Sequence, residues 1–576
     1  MLIQDNEQRI NRILFWLLAI SAIVRGIAAT SIEFGNDEVY YWVYALYPDW
    51  SHFDHPPMVG WIIQLFSLNL LLDSEFFIRL ASIVFMTADT YIIFRIGKDI
   101  KNAQAGLYAA LLYTASIYAF VITGIFIMPD TPLMLFWLLA FWMAVRYCSG
   151  LPCSARNDDN GTLHVIDLLR IVESRFARRD NRHCEERSKA IQKKSIYLIF
   201  FGLFAGLAML SKYSGVFLWV GMGLYILIFN RKQLKKPYLY LSLLISAVCC
   251  LPILYWNLQN DFISFSFHGA RVGGNKLNFS TFGTEVAGEM LYNNPVNFVL
   301  AIIAVIAAFK GKIDMEKPAL RLVLCTTLPL ILAFLLFSLT RQTLPHWNAP
   351  AYSLLVLPSA CWLCGKNPKR NGSFSLPKSI IAALCVLMVT VCFGIAEINT
   401  GFIPLDRHTE PEMLGRNDFT LDMFGWRQLE TKFATLREQK IAEDVMKEED
   451  GIVADEWFPL ANLDYYVARP LGMKVMGIGY PENLHKYLWI NEERGGFKKG
   501  EDFWFLTDSR YLKNPNGLYP GGFESIEPLG TITIERGGKP AKNFFVYACK
   551  GLIYMQPTVA ELMAQRKANQ QNVTEP

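Results

Sequence analysis

The run ILFWLLAISAIVRGIAATSIEFGNDE, residues 13–38, decides the fold class. Residues 13–30 carry one charge, Arg25, among apolar, small and hydroxyl side chains. A helix that crosses a bilayer needs roughly 20 mostly apolar residues, since lipid offers no hydrogen bonds to a bare backbone. The run is not a cleavable signal: residues 1–8 hold Asp5 and Glu7 and no base. It reads as a first transmembrane helix that ends in an acidic, aromatic loop.

Further apolar runs follow outward from it, at 76–96, 105–123, 132–147, 196–210, 216–229, 238–256, 291–309, 320–339, 349–363 and 379–396. With the first they make about eleven crossings. The apolar stretch 58–72 follows Pro56-Pro57 and has too little loop for two crossings, so it reads as a helix on the membrane surface. Composition agrees. The chain has 576 residues, 52% hydrophobic and only 18% charged, which places it in the membrane class. A net charge of +4 is too small to point to nucleic acid.

Lys and Arg set the orientation. The loops holding Arg95/Lys98/Lys101, residues 149–195, Arg231/Lys232/Lys235/Lys236, Lys310/Lys312/Lys317 and Lys366/Lys369/Arg370/Lys378 are basic, hence cytoplasmic. Between Arg25 and Arg79 no Lys or Arg occurs, but seven acids do: Glu33, Asp37, Glu38, Asp49, Asp54, Asp73 and Glu75. That loop is expected outside. An odd number of crossings then gives a cytoplasmic N-terminus and puts 398–576 outside as well.

The chain thus divides into a transmembrane part, 10–397, and a polar region, 398–576. The second combines a helical pattern at 426–446 with strand-like runs at 451–454, 473–478, 502–506, 530–534 and 543–548, and reads as a soluble α/β domain. Within the first, 149–195 is polar and aromatic-poor, and is expected to be a disordered or weakly helical cytoplasmic insertion. Its core, Arg182-His183-Cys184-Glu185-Glu186-Arg187-Ser188, resembles peptides encoded by mobile palindromic repeats of some bacterial genomes. Of the eleven cysteines most lie in apolar runs, where they pack as small hydrophobes. Cys361 and Cys364 form a CxxC without a second pair, a pattern that favours packing over metal.

Chemistry concentrates in the external loops. The first reads Gly35-Asn36-Asp37-Glu38-Val39-Tyr40-Tyr41-Trp42, then Asp49-Trp50-Ser51-His52-Phe53-Asp54-His55-Pro56-Pro57. Interface anchoring accounts for the rings, and solvated charge would account for an isolated acid pair. Acids beside the membrane with two histidines close behind also fit a catalytic loop. A second loop, Met128-Pro129-Asp130-Thr131-Pro132-Leu133, reads as a helix start capped by Asp130, a role that leaves Asp130 available for function. In Leu210-Ser211-Lys212-Tyr213-Ser214-Gly215, Lys212 either snorkels to the interface or holds a cation at head-group level for a lipid phosphate. Arg271 and the run Arg341-Gln342-Thr343-Leu344-Pro345-His346-Trp347 add external cations.

This ordered set resembles the bacterial GT-C membrane glycosyltransferases related to dolichyl-phosphate-mannose protein mannosyltransferases and lipid A aminoarabinose transferases. The resemblance rests on Asn36-Asp37-Glu38 with Phe53-Asp54-His55-Pro56-Pro57, on Pro129-Asp130-Thr131-Pro132-Leu133, on Gly206-Leu207-Ala208-Met209-Leu210-Ser211-Lys212 and on Pro345-His346-Trp347. It covers most of 10–400 and extends to Phe424-Gly425-Trp426-Arg427 in the polar region. It implies a GT-C-like helical fold and an inverting transfer from a polyprenyl-phosphate sugar to a lipid, glycan or protein acceptor of the cell envelope. It implies Asp37 as the base with Glu38 as its neighbour, and Asp130 and His55 in substrate binding. Lys212, with Arg271 or His346, would stabilise the leaving phosphate. No nucleotide cofactor is expected, and the resemblance leaves a divalent cation open. The rival classes are a lipid or glycan transporter, which the missing internal repeat disfavours, and a non-catalytic scaffold.

Overall fold

The computed structural model describes residues 2–149, 182–270, 277–366 and 375–565. Most of the chain is helical, and its long helices are inside-out by the standards of a water-soluble protein. On the first, Leu2–Ser31, the apolar side chains Trp16, Ile20, Ile23 and Ile27 recur at helical spacing on the exposed face, whereas Ser21 and Arg25 are buried. Ile381, Met388 and Phe393 are likewise exposed on Lys378–Thr400. An apolar exterior over polar buried positions is stable only where the solvent is hydrocarbon.

Among the described residues five helices are long and apolar enough to cross: Asn6–Ser31, Glu75–Ile100, Asp130–Ser149, Lys317–Ser338 and Lys378–Thr400. Two bent pairs, Pro237–Cys249 with Leu251–Gln259 and Phe279–Tyr292 with Pro295–Phe309, raise that to seven if each is one span. The remaining expected crossings correspond to shorter elements such as Ser195–Ser211 and Tyr213–Phe229, which length alone does not qualify. The polar stretch 149–195 lies largely outside the described residues. From Arg182 onward the chain is helical and runs without a break into the apolar segment that ends at Ser211.

Small residues set how closely these helices approach. Gly202 and Gly206, four apart, form one face of Arg182–Ser211 against Pro237–Cys249. A Cβ at Gly202 would meet the Ser242 carbonyl oxygen at 2.3 Å, and one at Gly206 would meet Cys249 at 2.7 Å. Ser242 and Ser246 donate across the contact to the carbonyls of Leu198 and Gly202 at 2.6 and 2.5 Å. Such pairing of small residues with hydroxyl donors is the usual cement of helices in lipid.

Residues 58–72 form a helix only over Met58–Phe66, which packs on the preceding helix Asn36–Leu46 and buries Met58, Val59, Gly60, Ile62 and Ile63. The chain then turns through three residues with positive φ, Leu68, Asn69 and Leu70. Leu65, Leu68 and Leu71 are left exposed.

The C-terminal region is a small α/β domain. Its five strands are β1 (Gly451–Ala454), β2 (Val475–Gly477), β3 (Phe503–Asp508), β4 (Phe523–Arg536) and β5 (Lys539–Leu552), in the order β2-β1-β3-β5-β4. β1 is parallel to β2 and β3, and β5 is antiparallel to β3 and β4. β4 and β5 are much longer than the runs read from sequence. Gly537 and Gly538, both at positive φ, make the two-residue turn between them, and bulges near Pro528 and Ile534 interrupt the alternation that would have marked their full length.

This domain shares one hydrophobic core with the acidic loop that follows the first helix: Val39, Trp42 and Ile62 belong to the same cluster as Trp426, Ile452 and Trp504. Phe424-Gly425-Trp426-Arg427 is the docking point. Glu33 accepts hydrogen bonds from the backbone N–H of Trp426 and Arg427 at 2.8 and 3.2 Å, at the positive end of the helix Trp426–Ala442. Arg427 reaches on to Glu75 at 2.5 Å.

Candidate active site

A cavity of about 670 Å³ lies where the acidic loop after the first helix and the loops around Asp130 and Lys212 meet the sheet domain. Asp37, His55, Asp130, Lys212 and His346, drawn from four separate segments of sequence, all line it. Glu38 does not, and Arg271 lies outside the described residues.

Asp37 and Glu38 are adjacent but do different things. Both sit in the first turn of Asn36–Leu46, where a carboxylate meets unpaired N–H groups. Glu38 turns inward and is fully engaged. It receives Arg79 Nε at 2.8 Å and Nη2 at 2.6 Å, the N–H of Ile127 at 3.1 Å, and the N–H of Gly35 at 3.0 Å. Arg79 spends its other donors on the carbonyls of Ala29, Ile32 and Glu33. The pair therefore ties the first loop, the second loop and the span Glu75–Ile100 into one frame. Asp37 points the other way, is accessible from the cavity, and accepts no hydrogen bond among the described residues. Its recessed position, reinforced by the nearby charges of Asp54 and Glu38 and opposed by Lys212, pushes its pKa up to about 6.

Across the cavity Lys212 is bidentate to Asp130, with Nζ at 2.9 and 2.7 Å from the two oxygens, and Tyr118 donates to the same carboxylate at 2.9 Å. The lysine is not a bare snorkelling cation. Its charge is balanced by an acid from 82 residues earlier, and both groups are buried. Arg341 also lines the cavity and forms no ion pair among the described residues. His55 and His346 are both lowered to about 4, chiefly by burial, so both rings are neutral near pH 7. Asp54 accepts from the hydroxyls of Tyr40 and Tyr44 at 3.1 and 2.5 Å. His55 and His485 approach Asp54 only to 3.9 and 4.0 Å, and among the described residues no cluster of three metal-ligating side chains is arranged to hold an ion.

The sheet domain contributes Trp457, Glu482 and His485 to the wall, and the helix Ile263–Ala270 contributes His268. His485 stacks on Phe53 and on Trp457, with ring centroids 4.9 and 5.8 Å apart. It also adopts φ 51°, ψ −125°, a backbone conformation costly for any residue with a Cβ and one that tends to persist at functional sites. Sequence reasoning did not place these four residues in the site. They lie in stretches with no recognisable motif, and only Arg341, within the run ending Pro345-His346-Trp347, carried a visible signal.

Comparisons with known proteins bear on the fold and the family. The model of the dolichyl-phosphate-mannose-protein mannosyltransferase family matches residues 54–150 and 187–256, and passes over 151–186 within the polar stretch. A lipid A galacturonosyltransferase, RgtD of Rhizobium johnstonii, is 20% identical over 449 residues, covering 77% of this chain and 81% of that protein. Crystal structures of ArnT from Cupriavidus metallidurans superpose on the fold. In the apo state the TM-score is 0.56 at 13% identity, covering 93% of this chain and 98% of that one. Bound to undecaprenyl phosphate, the values are 0.53, 14%, 93% and 97%. The chain is a multi-pass membrane glycosyltransferase with the GT-C fold. It is related to the protein mannosyltransferases and to the ArnT group.

Proposed function

We propose that this protein is an inverting glycosyltransferase that moves a sugar from a polyprenyl-phosphate donor to a cell-envelope acceptor at the outer face of the inner membrane. The observation that carries this reading is the mixed lining of the cavity. Phe217, Phe265, Phe334 and Phe337 line it together with Asp37, Lys212 and Arg341. An apolar wall suits a lipid chain, and two cations suit the phosphate that joins chain to sugar. The undecaprenyl phosphate in the ArnT structure and the lipid A named for the galacturonosyltransferase support a lipid-linked donor and a lipid acceptor.

The reaction then runs as a single displacement. Asp37 takes the proton of the acceptor hydroxyl, whose oxygen bonds to the anomeric carbon. The bond from that carbon to the phosphate oxygen breaks, and the phosphate leaves with the electron pair. Arg341 and Lys212 stabilise the charge that develops on it. Asp130 holds Lys212 in place, and Glu38 with Arg79 holds the loop that carries Asp37. His55 and His346, as neutral rings, offer hydrogen bonds to sugar hydroxyls without adding charge.

Comparative mass spectrometry of envelope lipids and glycans, from cells with and without the gene, tests the function. One species should lose the mass of one sugar in the deletion strain. Identical profiles from strains that express and insert the protein normally would sink the reading. Orientation is tested separately. A reporter active only outside the cytoplasm, fused to the C-terminus, should be active, as the distribution of Lys and Arg requires. Activity of a cytoplasm-only reporter there would move the site to the other face.

Lys212→Ala should raise the KM for donor about tenfold or more, the usual scale for a lost charge-assisted hydrogen bond, while Lys212→Arg retains part of the affinity. Unchanged donor kinetics in Lys212→Ala would confine the lysine to neutralising Asp130.

A further inference from the structure

The sheet domain has a second cavity, of about 500 Å³, back to back with the first. The segment 480–485 is the wall between them. Pro481–Leu484 forms a single helical turn, so residues three apart share a face. Glu482 and His485 line the catalytic cavity, and Tyr480 and Asn483 line the second. The division recurs after β1, where Asp455 lines the second cavity and Trp457 the first. Gln556 pins the wall from behind: its side chain donates to the Gly479 carbonyl at 2.9 Å and accepts from the Gly479 N–H at 3.1 Å.

The position is one where α/β sheets bind ligands. Asp455 directly follows the parallel strand β1, and Ile478 to Tyr480 directly follow β2. In the order β2-β1-β3 these two parallel strands are neighbours, so their carboxyl ends lie side by side at one end of the sheet, where α/β sheets open ligand crevices.

The lining identifies the ligand chemistry. Tyr480 and Tyr554 present rings that are 77% and 50% exposed, high for large side chains beside a cavity. The Tyr519 hydroxyl is buried there without a hydrogen-bond partner among the described residues. The Asn483 carboxamide makes no hydrogen bond among the described residues, and Asp455 is held by Lys513 at 2.7 Å. Among the described residues no Lys or Arg lines the cavity, which disfavours a phosphate. Flat aromatic faces with an amide, a hydroxyl and a carboxylate suit a saccharide, whose C–H faces lie on rings while its hydroxyls bond at the edge.

We propose that this cavity binds a saccharide unit of the acceptor, remote from the unit that receives the transferred sugar. The inference rests on the glycosyl-transfer reading above and names the part of the protein that selects the acceptor. The test uses the full-length protein in lipid nanodiscs without donor, with ligand-observed NMR of glucosamine, galactose and mannose disaccharides as probes and a short serine-containing peptide alongside. At least one disaccharide should bind wild type and Asp37→Asn alike. Its binding should weaken about tenfold in Tyr480→Ala and in Tyr554→Ala, the scale of one lost ring contact, and persist in Tyr480→Phe. In the transfer assay Tyr480→Ala should raise the KM for acceptor and leave the KM for donor and kcat unchanged. Binding by none of the disaccharides, equal binding by the tyrosine variants, or binding of the peptide in their place overturns the assignment. Failure of the transfer reading itself registers differently, as no donor turnover by wild type whatever the binding result.

Discussion

Asp37→Asn is expected to insert and fold like the wild type, to bind donor lipid, and to lose turnover by about a hundredfold or more, the usual scale for a general base. Asparagine keeps the size of the side chain and most of its polarity but cannot take a proton. The structure gives a reason to expect normal folding. The Asp37 carboxylate accepts no hydrogen bond among the described residues and is accessible from the cavity, so little of the fold depends on its charge. The same residue sets a pH dependence. A base works only when ionised, and this one is pushed up to about 6. Wild-type kcat/KM should therefore be flat above that pH and fall as pH drops through it, with an acid limb near 6 rather than in the ordinary carboxylate range. A rate that survives in Asp37→Asn, or an acid limb near 4, would remove Asp37 from the role. Loss of rate with donor binding retained would mark an interaction made only in the transition state.

Arg79→Met should have the largest effect on stability. It would leave Glu38 as a buried, uncompensated carboxylate and would strip donors from the carbonyls of Ala29, Ile32 and Glu33. Removing one partner of a buried ion pair costs roughly 3–5 kcal/mol, enough to unfold a marginal protein. The expected result is a large drop in melting temperature in detergent, with little folded protein recovered. Glu38→Gln should be milder in the melt, because the amide oxygen still accepts from Arg79. The double change Glu38→Leu with Arg79→Leu should cost less than the sum of the two single changes, since no charge is left unpaired. Additive losses would deny the coupling. If Glu38→Gln melts normally and loses more turnover than Asp37→Asn, the two acids have exchanged roles.

These two variants separate what a sequence reports from what it conceals. Asp37 and Glu38 are neighbours of similar chemistry, and as text they are one motif. A helix turns about 100° per residue, so consecutive side chains cannot share an environment. One faces the cavity and the other faces Arg79, which lies 41 positions away. Lys212 was legible as a cation at head-group level, but its engagement by Asp130 was not, because 82 residues and several helices lie between them. In the sheet domain β1 was legible to the residue, being short, apolar and flanked by turn signals. β4 and β5 were legible only in their central parts, because bulges shift the register of the alternation.

By itself the sequence determined the solvent. Runs of apolar residues with the length of a bilayer have no other stable home, and their charges at the ends set an expected orientation. It also determined which loops carry carboxylates and cations, because unpaired charge is kept out of hydrocarbon and collects at its edge. The tertiary structure decided the rest of the site. It chose which acid is free and which is structural, paired the lysine, and brought Trp457, Glu482 and His485 from a separate domain into the wall. The physical reason is range. Periodicity and propensity act over a few residues, whereas a cavity is made by the packing of side chains remote in sequence, and nothing local to Trp457 or His485 specifies the loop they meet.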